Sequence, residues 1–241
     1  MKDLRDFQAL SFDCYGTLID WESGIWTALQ PLLARTGAPL GREGALAAFA
    51  ELESRQEAAT PGLRYAALLA AVHGGLARRW GVKAKEEENR RFAASVSDWP
   101  AFPDTAESLS YLGGHYRLAI LSNVDRASFA ATAPKLGLGV EDVFTAEEIG
   151  SYKPDPRNFS FLIERLSQRG IAKGEILHVA QSLFHDHGPA NAAGLASAWI
   201  DRGHDRQGGG ATMAPTPDVR WDFRFRTLGE MAAAHRNAVA A

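Results

Sequence analysis

Cysteine is almost absent from this chain of 241 residues, which carries only Cys14. One thiol cannot close an internal disulfide, so a reducing cytoplasm is the expected setting. Long apolar runs are missing too, and no stretch approaches the roughly 18 continuous apolar residues that a membrane span needs. The charged start from Lys2 to Asp6 has no apolar core of the signal-peptide kind. Neither charge sign dominates. Lys and Arg number 26 against 29 Asp and Glu, a net charge of −3, so no overall basic surface recommends nucleic acid. Arg220, Arg224 and Arg226 do cluster, but in a strand-like segment they mark a solvated face. Repeats and low-complexity tracts are absent. What is present is ordinary globular composition, 46% hydrophobic and 23% charged, in a chain long enough to bury a full core. A soluble cytoplasmic protein without a membrane or nucleic-acid partner is the expectation.

One stretch organises the rest: Ala9-Leu10-Ser11-Phe12-Asp13-Cys14-Tyr15-Gly16-Thr17-Leu18. A short apolar run ends in a carboxylate, a Gly-Thr turn follows, and a helical pattern begins. Such runs suit buried strands. With Ala9 to Phe12 as a strand, Asp13 lies at its carboxyl end, where open α/β sheets bind their ligands. Loop amides there can hold an aspartate ionised and aim it as a nucleophile. The bland alternative is an Asp that caps the next helix. Cys14, beside it and without an evident paired His, reads as a small packing residue rather than a second nucleophile.

From Ser23 to about Trp99 the pattern is helical. Ile25, Trp26, Leu29, Leu32 and Leu33 form one apolar face; Ala45 to Ala58, with Phe49 and Leu52, forms a second helix; Tyr65, Leu68, Leu69, Val72, Leu76 and Trp80 stripe a third. Gly37-Ala38-Pro39, Thr60-Pro61-Gly62 and Gly81-Val82 break them, and a charged run, Lys83 to Arg91, leads into Phe92 and Val96. The Leu68, Val72 and Leu76 stripe suits core packing and also a homodimer contact. Trp99 to Asp104, with two prolines, reads as an extended return linker. Thr105 to Leu112 is then helical, and strict alternation follows. Strands are expected at Arg117–Leu121, Val143–Thr145, Ile176–Ala180, Ser197–Ile200 and, at an edge, Val219–Phe225. Helices are expected through Phe129 to Ala133 and over Phe159–Gln168, Pro189–Ala193 and Leu228–Ala238. Gln181 to Asp186 reads as a loop and Gln207 to Ala211 as a flexible one. Alternation of this kind implies βαβ crossovers. The fold class is therefore α/β, a Rossmann-like, mainly parallel sheet with an inserted helical cap domain. Residues 1–20 and 100–241 form the core, and 21–99 the cap.

Four strand ends then bring polar groups to one sheet edge: Asp13, Ser122-Asn123, Lys153 and Asp186. Each alone has a structural reading as a cap, a turn or a solvated lysine. Four in order, each after an apolar run, are harder to assign to loop chemistry.

This arrangement resembles the haloacid dehalogenase superfamily of aspartate-nucleophile hydrolases, on Phe12-Asp13-Cys14-Tyr15-Gly16-Thr17-Leu18, Leu121-Ser122-Asn123, Tyr152-Lys153-Pro154-Asp155-Pro156 and His178-Val179-Ala180-Gln181-Ser182 through Asp186. The resemblance spans nearly the whole chain. Phosphatases of the superfamily carry an Asp where Tyr15 stands and another where Gln181 stands, the latter for Mg²⁺. An amide is a poor substitute around a hard dication. Asp-x-Tyr-Gly-Thr looks instead like the L-2-haloacid dehalogenase branch, whose chemistry needs no metal and no cofactor.

What the resemblance implies is a two-step displacement. Asp13 attacks the halogen-bearing carbon of a small 2-haloalkanoic acid, halide leaves, and water hydrolyses the resulting aspartyl ester to a 2-hydroxy acid. Lys153 keeps Asp13 ionised, and Asp186 positions or activates the water. Ser122 holds the substrate carboxylate, Asn123 helps cradle the halide, Thr17 orients the nucleophile, and Tyr15 lines the pocket. The branch has Tyr, Ser and Asn where this chain has Phe159, Gln181 and Leu183. Its cap arginine has two candidates, Arg55 and Arg64. His185 and His187 flank Asp186 and read either as exposed loop residues or as assisting bases. The competing readings are a Mg²⁺-dependent small-molecule phosphatase of the same fold and a non-catalytic binding module.

Overall fold

The computed structural model describes residues 2–37, 39–137, 139–205, 211–214 and 218–241. The expected glycine-rich loop from Gln207 to Gly210 and the Ala38 break lie outside these. Among the described residues no helix is long and apolar enough to cross a membrane.

Ala9–Phe12 (β1) is buried along its length, as expected of a strand covered on both faces. It pairs in parallel with Arg117–Ser122 (β2) and Ile176–Ala180 (β4). Asp142–Thr145 (β3) flanks β2, Ala196–Ile200 (β5) flanks β4, and Phe223–Phe225 (β6) closes the edge. All pairings are parallel, in the order β3-β2-β1-β4-β5-β6. Strand order reverses between β1 and β4, and such a switch point opens a crevice at the carboxyl ends.

Successive β1 residues serve opposite faces. Ala9 packs in the cluster with Phe159, Leu162 and Leu166 of Pro156–Ser167 (here α8). Leu10 and Phe12 join the cluster that contains Leu109 and Leu112 of Thr105–Gly113 (α5) and Leu228 and Met231 of Leu228–Ala240 (α10). The insertion after β1 comprises Trp21–Leu33 (α1), Arg42–Ala59 (α2), Tyr65–Arg79 (α3) and Glu86–Ala94 (α4). The remaining helices are Arg126–Thr132 (α6), Ala146–Ile149 (α7) and Gly188–Ala193 (α9). Leu68, Val72 and Leu76 are all fully or nearly fully buried within the chain, so their stripe is core and offers no dimer face.

Several boundaries differ from expectation for local reasons. The last strand is three residues long, because Arg220 N donates to the Asn191 side chain before the chain joins the sheet. The stretch read as a loop beyond β4 is a π-helical turn, Leu183–His187, capped by Ser182, whose Oγ accepts from His185 N (3.0 Å). Helix α8 begins at Pro156 rather than Phe159, with Asp155 accepting from Arg157 N and Pro156 at the first helical position.

The chain leaves the sheet and returns side by side. Asp20 N donates to Pro100 O (2.8 Å), and Phe102 N to Leu18 O (3.0 Å). Helix α1 then lies directly on the return segment. A Cβ added at Gly24 would sit 2.2 Å from Trp99 Cδ1, and Trp99 is 1% exposed. In an open helix, Gly→Ala stabilises by about 1 kcal/mol. Here the clash reverses the sign, and overpacking of this kind costs about 1–3 kcal/mol. Gly24→Ala is expected to lower the thermal midpoint by at least about 2 °C, measured by circular dichroism melting.

Candidate active site

Asp13 follows β1 directly, its N donating to Val179 O (3.1 Å), and it is 6% exposed. Its Oδ1 accepts from Lys153 Nζ (2.9 Å) and its Oδ2 from Thr17 Oγ1 (2.7 Å). Thr17 is itself fixed, since its Oγ1 accepts from Gln181 N (2.9 Å). The turn between them needs glycine: Gly16 has φ +100°, and a Cβ there would meet Trp21 Nε1 at 3.0 Å.

Lys153, 1% exposed, satisfies all three ammonium protons, donating to Asp13 Oδ1, Asp186 Oδ1 (2.7 Å) and Leu121 O (3.0 Å). Its backbone is clamped by Asn123, which accepts from Lys153 N (2.6 Å) and donates to Lys153 O (3.0 Å). Burial opposes the ammonium, yet the carboxylates of Asp13 and Asp186 outweigh it and raise the pKa of Lys153. One cation does not serve two carboxylates equally. Burial also opposes the charge on Asp186, but Lys153 and His178 hold it well below the ordinary range. For Asp13, burial prevails over the pull of Lys153, and its pKa is raised.

His178 was not singled out in the sequence. It is fully buried on β4, with Nε2 2.9 Å from Asp186 Oδ1 and Nδ1 2.7 Å from Ser11 Oγ. A carboxylate can only accept, so Nε2 donates to Asp186, while Nδ1 pairs with the Ser11 hydroxyl. Phe159 stands edge-on to the His178 ring (5.0 Å), not in the pocket. The other oxygen of Asp186, Oδ2, is buried without a partner, as is Ser122 Oγ.

Asp13, Lys153, Asp186, Tyr15, Ser122 and Asn123 thus share one cavity of about 40 Å³, and Thr17 is bonded to Asp13 without lining it. Tyr15 pairs its hydroxyl with Thr132 Oγ1 (2.8 Å) and stands edge-on to Trp99 (5.7 Å). A wider cleft of about 540 Å³ adjoins and shares Trp21, Gln181 and Thr212; Leu183 lies on that side.

Three sequence expectations are corrected. Arg55 and Arg64 are exposed and pair with Glu51 (2.7 Å) and Glu147 (2.9 Å), so neither lines the cavity. His187 is no exposed loop residue: it is fully buried, donating Nε2–H to Ala180 O (3.0 Å) and pairing Nδ1 with Ser197 Oγ (2.9 Å). His185 lines the cavity, its Nε2 unpartnered. Burial pushes both imidazoles down to about 4, which leaves them neutral near pH 7.

The contribution of the inserted helices was not anticipated. Glu53 and Glu57 of α2, with Tyr65 of α3, face the cavity. Tyr65 OH donates to Glu53 Oε1 (2.8 Å) and Asn123 Nδ2 to Glu57 Oε1 (3.2 Å). The signal was present in the sequence. Leu46, Phe49, Glu53 and Glu57 continue one buried stripe at helix spacing, and two acids occupy positions where apolar residues belong. Burial pushes the Glu53 carboxyl up to about 8 and Glu57 well above its usual range.

Among the described residues no group of three His, Cys, Asp or Glu is placed to hold a metal ion. The space between Asp13 and Asp186 belongs to the Lys153 ammonium, and the amide of Gln181 adds no charge. The donor set does not fit a divalent cation.

Residues 7–194 match the family model described as haloacid dehalogenase-like hydrolase. An (S)-2-haloacid dehalogenase 4A of Burkholderia cepacia is 29% identical over 201 residues, 81% of this chain and 83% of that protein. A ribulose-1,5-bisphosphate 5-phosphatase of Halopiger xanaduensis is 28% identical over 143 residues, 58% of this chain and 59% of that protein. The solved L-2-haloacid dehalogenase of Xanthobacter autotrophicus superposes with a TM-score of 0.79 at 20% identity, covering 95% of this chain and 98% of that one.

A Glu53 that gains a proton on folding adds stability below its ordinary pKa of 4.5, and this is lost as pH rises through about 8. Wild-type stability is expected to fall with pH across that window, at up to about 1 kcal/mol per pH unit. Glu53→Gln should flatten the slope in a pH series of thermal melts.

Proposed function

The chain belongs to the haloacid dehalogenase-like hydrolases, and on that premise we propose that it hydrolyses the carbon–halogen bond of a small 2-haloalkanoic acid through an ester on Asp13, without a metal. The observation that carries this reading is the single ammonium of Lys153 bonded to both Asp13 and Asp186 under the cavity, with Asp186 Oδ2 left free.

The steps follow from the contacts. The substrate carboxylate meets the unpartnered Ser122 hydroxyl. An Asp13 oxygen, fixed by Thr17 and Lys153, forms a bond to C2 as the C2–halogen bond breaks and halide departs with the electron pair. Splitting one hard displacement into two easier steps is the gain of a covalent intermediate. Asp186 Oδ2 then accepts a proton from water, whose oxygen adds to the Asp13 ester carbonyl. The charge that develops on that carbonyl lies beside Lys153, which stays protonated because two carboxylates hold it so. Collapse breaks the ester C–O bond, the departing oxygen takes the proton held by Asp186 and leaves as the 2-hydroxy acid, and Asp13 is restored as it loses the second water proton to solvent. His178 acts through Asp186 as a positioning residue, and Asn123 positions Lys153 while lining the halide side.

Residues 21–99 serve as a cap domain over the core formed by residues 1–20 and 100–241, its closure drying the nucleophile. The adjoining hydrogen bonds at Asp20 and Phe102 support one shared hinge. Cys14, fully buried and alone, supports residence in a reducing cytoplasm.

Release of chloride from 2-chloropropanoate that is unaffected by a chelator is the expected result, with ¹⁸O from labelled water appearing in Asp13 by peptide mass spectrometry. Chelator-sensitive phosphate release from phosphate esters, without halide release, would overturn it. Asp13→Asn should abolish turnover. Because Asp13 must be ionised to attack and its pKa is raised, the acid limb of kcat/KM should lie above the ordinary Asp range. Lys153→Met should move that limb further up and lower kcat/KM by at least about 100-fold, since it leaves two buried carboxylates without their cation.

A further inference from the structure

The cavity above Asp13 has two chemically different walls. The core wall carries Ser122, 2% exposed, and Asp186, 1% exposed, each with a buried oxygen that has no partner. The inserted helices contribute the second, with Glu53 and Glu57, 5% and 7% exposed, and the Tyr65 hydroxyl. Each glutamate accepts one hydrogen bond from a neutral donor, Tyr65 for Glu53 and Asn123 for Glu57. Glu57 Oε2 stands 3.9 Å from His185 Nε2, which has no partner of its own. Around the cavity, Asp13, Asp186, Glu53 and Glu57 face Lys153 as the one cationic side chain among the lining residues. Lys153 is already committed to the two aspartates.

A substrate that is only an anion leaves the glutamate wall unused. It also meets two further carboxyls in the same lining. Burying two acids on a stripe that apolar residues could fill costs free energy unless something compensates. A cation between them compensates both, and it would find the rings of Trp21 and Tyr15 in the same lining. The cavity of about 40 Å³ admits only a short chain between the two walls.

We infer that the substrate is a small 2-substituted carboxylic acid that also carries a protonated amine, its carboxylate at Ser122 and its ammonium between Glu53 and Glu57. This rests on the reading of Asp13 as the displacing nucleophile, and it assigns α2 the selection of substrate. Burial keeps the two glutamates protonated while the cavity holds no cation; an ammonium favours their ionised form. In the reaction the amine is a spectator: the bond from an Asp13 oxygen to C2 forms, the C2–halogen bond breaks, halide leaves, and water hydrolyses the ester with its proton passing by way of Asp186 to the product hydroxyl.

Two measurements on the intact wild-type protein test it. Calorimetry with β-alanine and butanoate, the isosteric carboxylate that lacks the ammonium, reads binding alone, and β-alanine should bind at least tenfold more tightly. Halide release reads turnover, and 3-amino-2-chloropropanoate should exceed 2-chlorobutanoate at least tenfold in kcat/KM. Both preferences should collapse towards unity in Glu53→Gln/Glu57→Gln and shrink in Glu57→Gln alone. Equal or weaker use of the amine, or a preference that survives the double substitution, overturns the proposal. Halide release from 2-chlorobutanoate with no amine preference sinks the amine subsite and spares the dehalogenase reading. A β-alanine preference without halide release from either acid does the reverse.

Discussion

The site depends on one ammonium shared by two carboxylates. Lys153 reaches from the loop after β3 to the ends of β1 and β4, and it brings Asp13 and Asp186 to a common partner at 2.9 and 2.7 Å. In a buried setting two carboxylates cannot stand together without a cation, and a cation cannot stand there without them. The arrangement is therefore mutual, and it is asymmetric. Asp186, with His178 behind it, is held low and stays a stable acceptor. Asp13, for which burial prevails over the pull of Lys153, has a raised pKa.

Around that centre, supporting groups restrict motion rather than add chemistry. Asn123 pins the backbone of Lys153 on both sides, Thr17 fixes Asp13 to the loop after β4, and Ser11 aligns His178 from beneath. Each support crosses from one strand end to another. The parallel order β3-β2-β1-β4 makes this possible, because it sets all four carboxyl ends along a single edge. Trp99 links this edge to the inserted helices, packing against Gly24 on one side and Tyr15 on the other. The helices thereby present Glu53, Glu57 and Tyr65 to the space above the nucleophile.

Legibility in the sequence followed the range of the interactions. The strands carrying Asp13, Ser122 and the His178 segment were readable because short apolar runs between turn residues are local signals. The wrong or missing assignments were non-local. Arg55 and Arg64 are the two candidates for a cap arginine, but the faces of α2 and the start of α3 turn them to Glu51 and Glu147 at the surface. His187 follows Asp186 in the chain, yet the π-helical turn directs it into the core against Ser197. Glu53 and Glu57 were hidden inside an otherwise ordinary apolar stripe.

The sequence by itself determined the α/β alternation, the place of the inserted helices, and the order in which Asp13, Ser122, Asn123, Lys153 and Asp186 meet one sheet edge. Periodicity and strand ends are properties of neighbouring residues, so they survive without a partner in view. Tertiary structure alone decided which groups share a proton or a charge: His178 with Asp186, Asn123 with Glu57, and the ammonium between two carboxylates. Those pairings join residues from 8 to 140 positions apart. They exist only where packing excludes water and obliges each buried polar atom to find its partner.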